Sequence, residues 1–341
     1  MSSDPSRAGQ LSPDDPLPPV EPPSAGFIVQ LFVVPGVIVL VVVMIWVLFN
    51  WLAQKGNDRD AFVRALSRNN EARWQAAFNL ANALRAQRGS TRPTLSTDPE
   101  LARQLAAILK REIDAGSMEE NPLTLRIYLC RALGEFKVAD GLPTLIEAAG
   151  TARDEKEQEV RRAAIEGIAL LAANVGADDK QFSDNPKLAA VLLEAAGDED
   201  PRARSVAAVA LGVIGTPRMV EKLHFMLEDA NPDVRYNAGT RLAQRGDAAG
   251  LPVLLEMLDP EETAGVLSEK TPQMRPFKRA LITVNALKAA DQLAEKNPNV
   301  DLDALETAVK KLLAGDASGE IRMQAAVLSR RLQNRAAPSA K

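Results

Sequence analysis

The sequence predicts an all-α protein, in which an α-solenoid of about seven helical hairpins follows one transmembrane helix and a disordered N-terminal tail. Three observations predict it. No charged residue occurs between Glu21 and Lys55. After Lys55, apolar residues recur at helical spacing, and no alternating run indicates a strand. A segment of one arginine followed by an Ala-rich apolar stripe then recurs along the chain. The expected domains are 1–26 (disordered Pro-rich acidic tail), 27–53 (transmembrane helix), 54–334 (solenoid) and 335–341 (disordered C-terminal tail).

The tail before the apolar run, residues 1–26, is rich in Pro, Ser and Asp and carries a net charge of −3. Such a composition cannot bury enough apolar surface to offset the entropy lost on ordering, so we expect disorder. Its PPVEPP stretch also resembles Pro-rich ligands, and a solvated tail is the interpretation that we prefer.

The apolar run 27–53 reaches roughly 40 Å as a helix, more than the ~30 Å hydrocarbon core of a bilayer. A helix satisfies its own backbone hydrogen bonds, which lipid cannot do. Amphipathic rings and basic side chains at its C-terminal end favour the headgroup zone. The residues expected at the membrane interface are Trp46, Trp51, Lys55, Arg59 and Arg64. A cleaved signal peptide would have a shorter and less acidic start and a shorter apolar run, so we expect an uncleaved anchor.

The distribution of Lys and Arg predicts the orientation of this single-pass anchor. Only Arg7 precedes the run, whereas five basic residues lie between Lys55 and Arg73. Because the basic side stays in the cytoplasm, the C-terminal solenoid is expected there. Residues 55–88 together carry a net charge of +4. This excess indicates either a first repeat that lies against anionic headgroups or a topology signal on a solvated helix face.

The recurring segment predicts the second helix of each hairpin. Its copies are 72–81, 125–134, 160–169, 203–212, 234–243, 278–287 and 321–330. The aligned arginines are Arg73, Arg126, Arg161, Arg204, Arg235, Arg279 and Arg322. The expected first helices include 141–150, 186–197, 250–259 and 303–315. One hairpin cannot cover its own Ala/Leu/Val seam, so neighbouring hairpins are expected to stack around a continuous core.

Two longer insertions, 88–100 and 259–276, interrupt the array. Connections of this length are functional or mobile in a compact solenoid. The second insertion is a candidate edge for binding a partner.

Residues 200–215 (DPRARSVAAVALGVIG) and 231–259 (NPDVRYNAGTRLAQRGDAAGLPVLLEMLD) resemble HEAT repeats. They are most similar to the short bacterial HEAT-like type, which includes units of phycobilin lyases. The resemblance is good over 121–259 and weaker over 58–114 and 270–334. It implies an α-solenoid, and it names no ligand.

The resemblance also implies a structural ladder, because HEAT repeats often stack an Asp near the turn on an Arg of the second helix. By position it implies pairing of Asp200 with Arg204 and of Asp233 with Arg235. The residues expected in this ladder are Arg126, Arg161, Asp200, Arg204, Asp233, Arg235 and Arg322.

No motif of known chemistry stands out, and we expect no cofactor, metal site or catalytic residue. The chain has one histidine, His224, and one cysteine, Cys130, which we interpret as an ordinary helical residue and a small buried hydrophobe. Phosphate-binding loops, dinucleotide fingerprints and the hydrolase nucleophile elbow are absent. Outside the tail the net charge is only −1, which disfavours nucleic acid as a partner.

These observations favour a membrane-anchored scaffold whose solenoid binds another protein, with the lipid bilayer as its other partner. Two alternatives from other classes remain. One is an enzyme or enzyme subunit of the bilin-lyase type, which a tetrapyrrole-binding assay would detect. The other is a nucleic-acid-binding HEAT-like protein, which salt-dependent DNA binding would reveal.

Overall fold

The computed structural model describes residues 25–55, 59–68, 72–88, 94–176, 179–315 and 318–336. All regular structure in these ranges is helical. The α-helices are α1 (Ala25–Lys55), α2 (Arg59–Ser67), α3 (Arg73–Ala86), α4 (Pro99–Ala115), α5 (Glu120–Gly134), α6 (Leu142–Gly150), α7 (Gln158–Val175), α8 (Lys180–Ser183), α9 (Pro186–Ala195), α10 (Pro201–Ile214), α11 (Pro217–Met226), α12 (Pro232–Gln244), α13 (Leu251–Leu258), α14 (Ala264–Leu267), α15 (Arg275–Lys296), α16 (Asp303–Ala314) and α17 (Gly319–Ala336).

The chain divides into two compact units between Asp58 and Arg59. The described part of the first unit is α1. Its stretch Val29–Leu48 has a mean hydropathy of 3.1, and none of it is buried. By length and composition α1 can therefore cross a membrane. Of the two predicted tails, residues 1–24 and 337–341 lie outside the described residues.

In the second unit, the described helices form the seven predicted hairpins. The pairs are α2/α3, α4/α5, α6/α7, α9/α10, α11/α12, α13/α15 and α16/α17. The short helices α8 and α14 lie in the connections. Each second helix packs on the second helix of the next hairpin, and first helices contact one another over shorter stretches. The prediction of an all-α solenoid is confirmed.

Turn chemistry sets the helix starts. Asp200 and Asn231 cap α10 and α12, and each side chain accepts a hydrogen bond from a backbone N–H two residues later. Pro143 and Pro252 lie in the first turns of α6 and α13, where a missing N–H is harmless. The local signals therefore agree with the stacking.

Small residues allow the second helices to approach closely. A Cβ added at Gly134 in α5 would lie 2.7 Å from the Cα of Gly167 in α7. A Cβ at Gly167 would lie 2.6 Å from the carbonyl oxygen of Cys130. The small residues of α10 and α12 at the seam are buried: Ala207, Ala208, Ala210, Gly212, Ala238 and Gly239.

Two groups of buried apolar residues form the core and meet at α12. Val234 of α12 belongs to the first group, and Tyr236 of α12 belongs to the second. Leu227 packs against both groups, so the core continues from one to the other. The insertion 259–276 forms α14 and a 3₁₀ turn, Pro272–Met274, and Gly265 of α14 packs on the ring of Tyr236.

Candidate interaction surface

The aligned arginines join each hairpin to the next. Arg204 in the first turn of α10 donates both Nε and Nη2 to Asp229, at 2.7 and 2.8 Å. Its Nη1 donates to the carbonyl oxygens of Asp198 and Glu199 in the preceding turn, at 2.9 and 3.1 Å. Asp229 follows α11, the first helix of the next hairpin. One guanidinium thus closes its own turn and holds the following unit.

Arg235 repeats this arrangement one hairpin later. Its Nη2 donates to Glu256 of α13 at 2.6 Å, and its Nη1 donates to the carbonyl oxygens of Asp229 and Ala230. The pKa of Arg235 is raised, first by the hydrogen bond to Glu256. The pKa of Asp229 is lowered, first by the hydrogen bonds from Arg204. Arg235 and Asp229 are therefore charged near neutral pH.

The other five aligned arginines follow this pattern in part or not at all. Arg73 donates to the Leu66 carbonyl oxygen and to Glu112 of α4, both at 2.8 Å. Arg161 lies 3.5 Å from the carboxylate of Asp198 after α9. Arg279 donates only to backbone carbonyl oxygens of the insertion. Arg126 belongs to a buried network, and Arg322 is exposed on α17.

The structure places the two implied Asp partners elsewhere. Asp200 caps α10 and accepts from Arg202, with its other oxygen 3.8 Å from Arg162. Asp233 pairs with Lys278 of α15 at 2.9 Å. The physical reason is that other groups already bind each carboxylate. Asp200 is held within its own turn, and Asp233 is held by Lys278 of the neighbouring helix α15. Arg204 and Arg235 extend instead towards the next first helix, where Asp229 and Glu256 receive them.

The acids that receive these arginines were not predicted. They follow their arginine by 39, 31, 25 and 21 residues in the four hydrogen-bonded cases, which are Arg73–Glu112, Arg126–Glu157, Arg204–Asp229 and Arg235–Glu256. This uneven spacing hides the pattern in the sequence. The sequence feature that could have revealed these partners is an acidic residue in the following hairpin, near the end of its first helix or in the turn after that helix.

Arg126 and Glu157 form the buried member of the series. Both side chains are 1% exposed, and Nη1 of Arg126 donates to Oε1 of Glu157 at 2.7 Å. Arg153 binds the same carboxylate through its side chain and its backbone N–H. Burial opposes ionisation of Glu157, but the hydrogen bonds from Arg153 and Arg126 outweigh it and lower its pKa. The network fastens α5 to the turn before α7.

The residues expected at the membrane interface lie on α1 and α2. Trp46 is 66% exposed on α1. The structure describes the backbone of Trp51 and Lys55, and their side chains lie outside the described residues. Arg59 begins α2 with its guanidinium 3.2 Å from Asp98, and Arg64 lies exposed on the same helix.

Much of the positive charge of residues 55–88 is paired with acids from later in the chain. Glu135 is fully buried and binds Arg85 at 3.1 Å and Arg88 at 2.6 Å. Arg73 binds Glu112, and Arg59 binds Asp98. The net charge of +4 therefore overstates the charge that this region offers to a membrane.

Large apolar side chains are exposed on three of the described second helices: Phe78 on α3, Phe277 and Leu281 on α15, and Met323 and Val327 on α17. On α3 and α5, the ring of Tyr128 lies 6.3 Å from that of Trp74 and 5.1 Å from that of Phe78, and Arg131 lies over its face. On α15, Phe277 is 64% exposed. Such residues are enriched at the centres of protein interfaces. These side chains were not singled out from the sequence.

Cys130 and His224, whose side chains carry the most reactive groups, are both in contact with other parts of the fold. Cys130 is fully buried, which confirms its interpretation as a core residue, and burial raises the pKa of its thiol to about 12. Nε2 of His224 lies 2.7 Å from a carboxylate oxygen of Asp247. Among the described residues, no three His, Cys, Asp or Glu side chains are grouped as metal ligands.

Comparison with known proteins agrees with the helical hairpins. The family described as HEAT repeats matches residues 151–224 and 189–268. A search of curated proteins gives no significant match.

Solved structures that resemble the chain include an engineered protein (Northeast Structural Genomics Consortium target OR329), at 17% identity and a TM-score of 0.34 over 82% of this chain and 98% of that one. YIBA_ECOLI matches at 18% identity and a TM-score of 0.34, over 82% and 96% of the two chains. A mutant of Kap121p matches at 14% identity and a TM-score of 0.42, over 81% of this chain and 34% of that one. Similarities at this level carry no information about partners. The family match shows HEAT repeats over residues 151–268, in agreement with the hairpins described above for this part of the second unit.

Proposed function

We propose that the protein is a single-pass membrane-anchored scaffold whose HEAT-repeat unit binds another protein on the cytoplasmic side. The observation that carries the proposal is the exposure of α1. Its apolar side chains are exposed on every side, from Val29 to Leu48. Water is an unfavourable solvent for such a helix, and a bilayer is a favourable one. Trp46, Trp51, Lys55, Arg59 and Arg64 would then lie at or near the headgroups.

Recognition without catalysis is the role that the repeat unit supports best. Several of its charged side chains hold successive hairpins together, as in the Arg204–Asp229 pair. Its second helices expose large apolar side chains such as Phe78 and Phe277. Solenoids present extended surfaces of this kind to partner segments. We therefore place the binding surface on the second helices.

Site-specific photocrosslinking in native membranes tests this placement. Phe277 on α15 and Phe225 on α11 are matched positions, since both are exposed phenylalanines, at 64% and 69%, on a second and a first helix. A photoreactive phenylalanine at position 277 should give a discrete adduct with another protein, and one at position 225 should not. Adducts at position 225 alone would indicate that the partner binds to the first helices. No protein adduct at either position would contradict the scaffold.

The orientation has its own test. Cys130 is buried and should be silent to maleimides, so Ser318→Cys, at an exposed position before α17, provides a single reporter. A membrane-impermeant maleimide should label this cysteine in inside-out vesicles and not in intact cells. Labelling of intact cells would place the repeat unit on the opposite side.

A further inference from the structure

A groove of about 430 Å³ lies between α12 and α15 in the second unit. Its α12 wall includes Asn237, Arg241 and Gln244, and its α15 wall includes Leu281 and Lys288. The groove therefore lies on the surface formed by second helices.

Arg241 is the unusual residue of this groove. Its guanidinium is half-buried and donates to the side-chain oxygen of Gln244 at 2.9 Å. Its aliphatic stem fills the space over Gly212 of α10, where an added Cβ would lie 2.3 Å from that of Arg241. Burial alone lowers the pKa of Arg241, and no carboxylate of the described residues offsets this effect. The guanidinium is thus partly desolvated without a counter-ion.

The other charges of the groove do not compensate Arg241. Asp233, which also lines the groove, is held by Lys278 at 2.9 Å. Lys288 is exposed on α15 and adds a second positive charge. The lining therefore has a net charge of +2, from Asp233, Arg241, Lys278 and Lys288.

A neighbouring groove between α7 and α10 provides a contrast. Its charged lining residues are Arg131, Glu159, Arg162, Glu166, Arg202 and Asp233, which sum to zero. A positive lining is therefore a local property of the groove at Arg241 and is not general to the second helices.

An apolar stripe leads into the groove along α15. Met274, Phe277 and Leu281 follow one another at helical spacing and are 46%, 64% and 49% exposed. Leu281 belongs to both the stripe and the groove wall. From Met274 to Lys288 the surface extends about 21 Å along the helix, which matches a partner helix of about 14 residues. It changes from apolar to positive along this length.

We propose that this groove and stripe bind an acidic, amphipathic segment of the protein partner, with carboxylates at Arg241 and Lys288 and apolar side chains on Phe277 and Leu281. The proposal rests on the proposed scaffold function and specifies its partner. The charge complementarity decides the choice: a carboxylate would supply the counter-ion that Arg241 lacks, and the apolar side chains would cover the stripe.

Selection from a displayed random 16-residue peptide library tests the proposal, with the full chain in lipid nanodiscs as the target. The enriched peptides should carry Asp or Glu within four residues of Leu, Phe or Trp. Their affinity should fall when the salt concentration is raised.

Three variants then locate the bound peptides. Arg241→Gln retains most of the aliphatic stem that packs on Gly212, and it should weaken binding at least about tenfold. Lys288→Glu, at an exposed position, should weaken binding about threefold or more and reduce its salt dependence. Arg330→Gln, at an exposed arginine of α17 outside the groove, should leave the affinity unchanged.

Enrichment of basic or uncharged peptides, or no enrichment, would overturn the proposal. If the Arg241→Gln and Lys288→Glu variants bound the peptides with unchanged affinity, the groove proposal would also be overturned. The scaffold function would stand in that case. If the variants abolished self-association of the chain and bound no acidic peptide, the groove would belong to a second copy. Peptides bound in the groove without any protein adduct at position 277 or position 225 in membranes would support the groove and contradict the scaffold.

Discussion

Replacing Gly167 with alanine is expected to force apart α5 and α7, two second helices that meet backbone to backbone at this glycine. The new Cβ would lie 2.6 Å from the carbonyl oxygen of Cys130, and ordinary contacts of this kind begin near 3.4 Å. The helices would therefore separate by about 0.8 Å. Both contacting groups are backbone, and α7 also packs against α10, so no flexible side chain can absorb the shift.

The magnitude follows from two opposing effects. Overpacking of this kind costs about 1–3 kcal/mol, and backbone contacts favour the upper part of that range. Alanine regains up to about 1 kcal/mol of helix propensity relative to glycine. We therefore expect a net loss of about 1–2 kcal/mol and a fall in Tm of about 2–6 °C.

The matched control is Gly150→Ala at the exposed end of α6. Its Cβ would meet only a methyl group of Val191, at 3.4 Å. Thermal unfolding of the full chain in detergent, followed by circular dichroism, gives Tm for both variants. Hydrogen exchange should also show weaker protection in α5 and α7 for Gly167→Ala alone. Equal or higher Tm for Gly167→Ala than for Gly150→Ala would refute the close approach of these helices.

Three further predictions follow from the ion pairs and the thiol. The folded-state pKa values of Glu157 and Asp229 are lowered, so the unfolded chain takes up protons first as the pH falls below about 4.5. The free energy of unfolding should decrease in this range, and Glu157→Gln should flatten the decrease in pH-dependent chemical denaturation. Arg204→Lys should lower stability by about 1–2 kcal/mol, because lysine cannot bind Asp229 through two nitrogens, whereas Arg202→Lys, at a 64% exposed side chain, should change stability by less than about 0.5 kcal/mol. Equal effects of the two substitutions would contradict the role of Arg204 between hairpins. The Cys130 thiol should react with a maleimide only after denaturation, and rapid labelling of the folded chain would show that α5 is not packed as described.

Local signals made the helices of the repeat unit predictable from the sequence. Asp200 and Asn231 cap their own helices, and the buried Ala and Gly residues of α10 and α12 repeat at helical spacing. Such features depend on residues within one or two turns of each other. The hairpins and their order follow from them, whereas several helices extend well beyond the predicted segments, such as α7 (Gln158–Val175) around 160–169.

Contacts between hairpins were not predictable in the same way. The partners of Arg204 and Arg235 lie 25 and 21 residues further along the chain, in a neighbouring unit whose register is a result of packing. The resemblance to HEAT repeats placed an Asp beside each arginine, but Asp233 is held by Lys278 from a longer helix. The unpaired guanidinium of Arg241 is likewise a property of two packed helices and has no signature in the sequence.

The packing of the insertion 259–276 has a related cause. The insertion 259–276 reads as a connection, because its Pro, Thr and Glu residues break the repeat pattern. Its short helix α14 nevertheless packs Gly265 on Tyr236. A tertiary contact, not local propensity, makes this segment part of the fold.

Fractionation of the full chain with its membranes is the measurement that tests the account most directly. The chain should remain in the pellet after a wash at alkaline pH, enter solution in detergent, and keep its own N-terminus on sequencing. A matched chain that lacks residues 25–55 should be recovered in the aqueous fraction with its helical signal retained. A full-length chain that is soluble without detergent, or that is cleaved after α1, would contradict a HEAT-repeat scaffold anchored by its apolar helix.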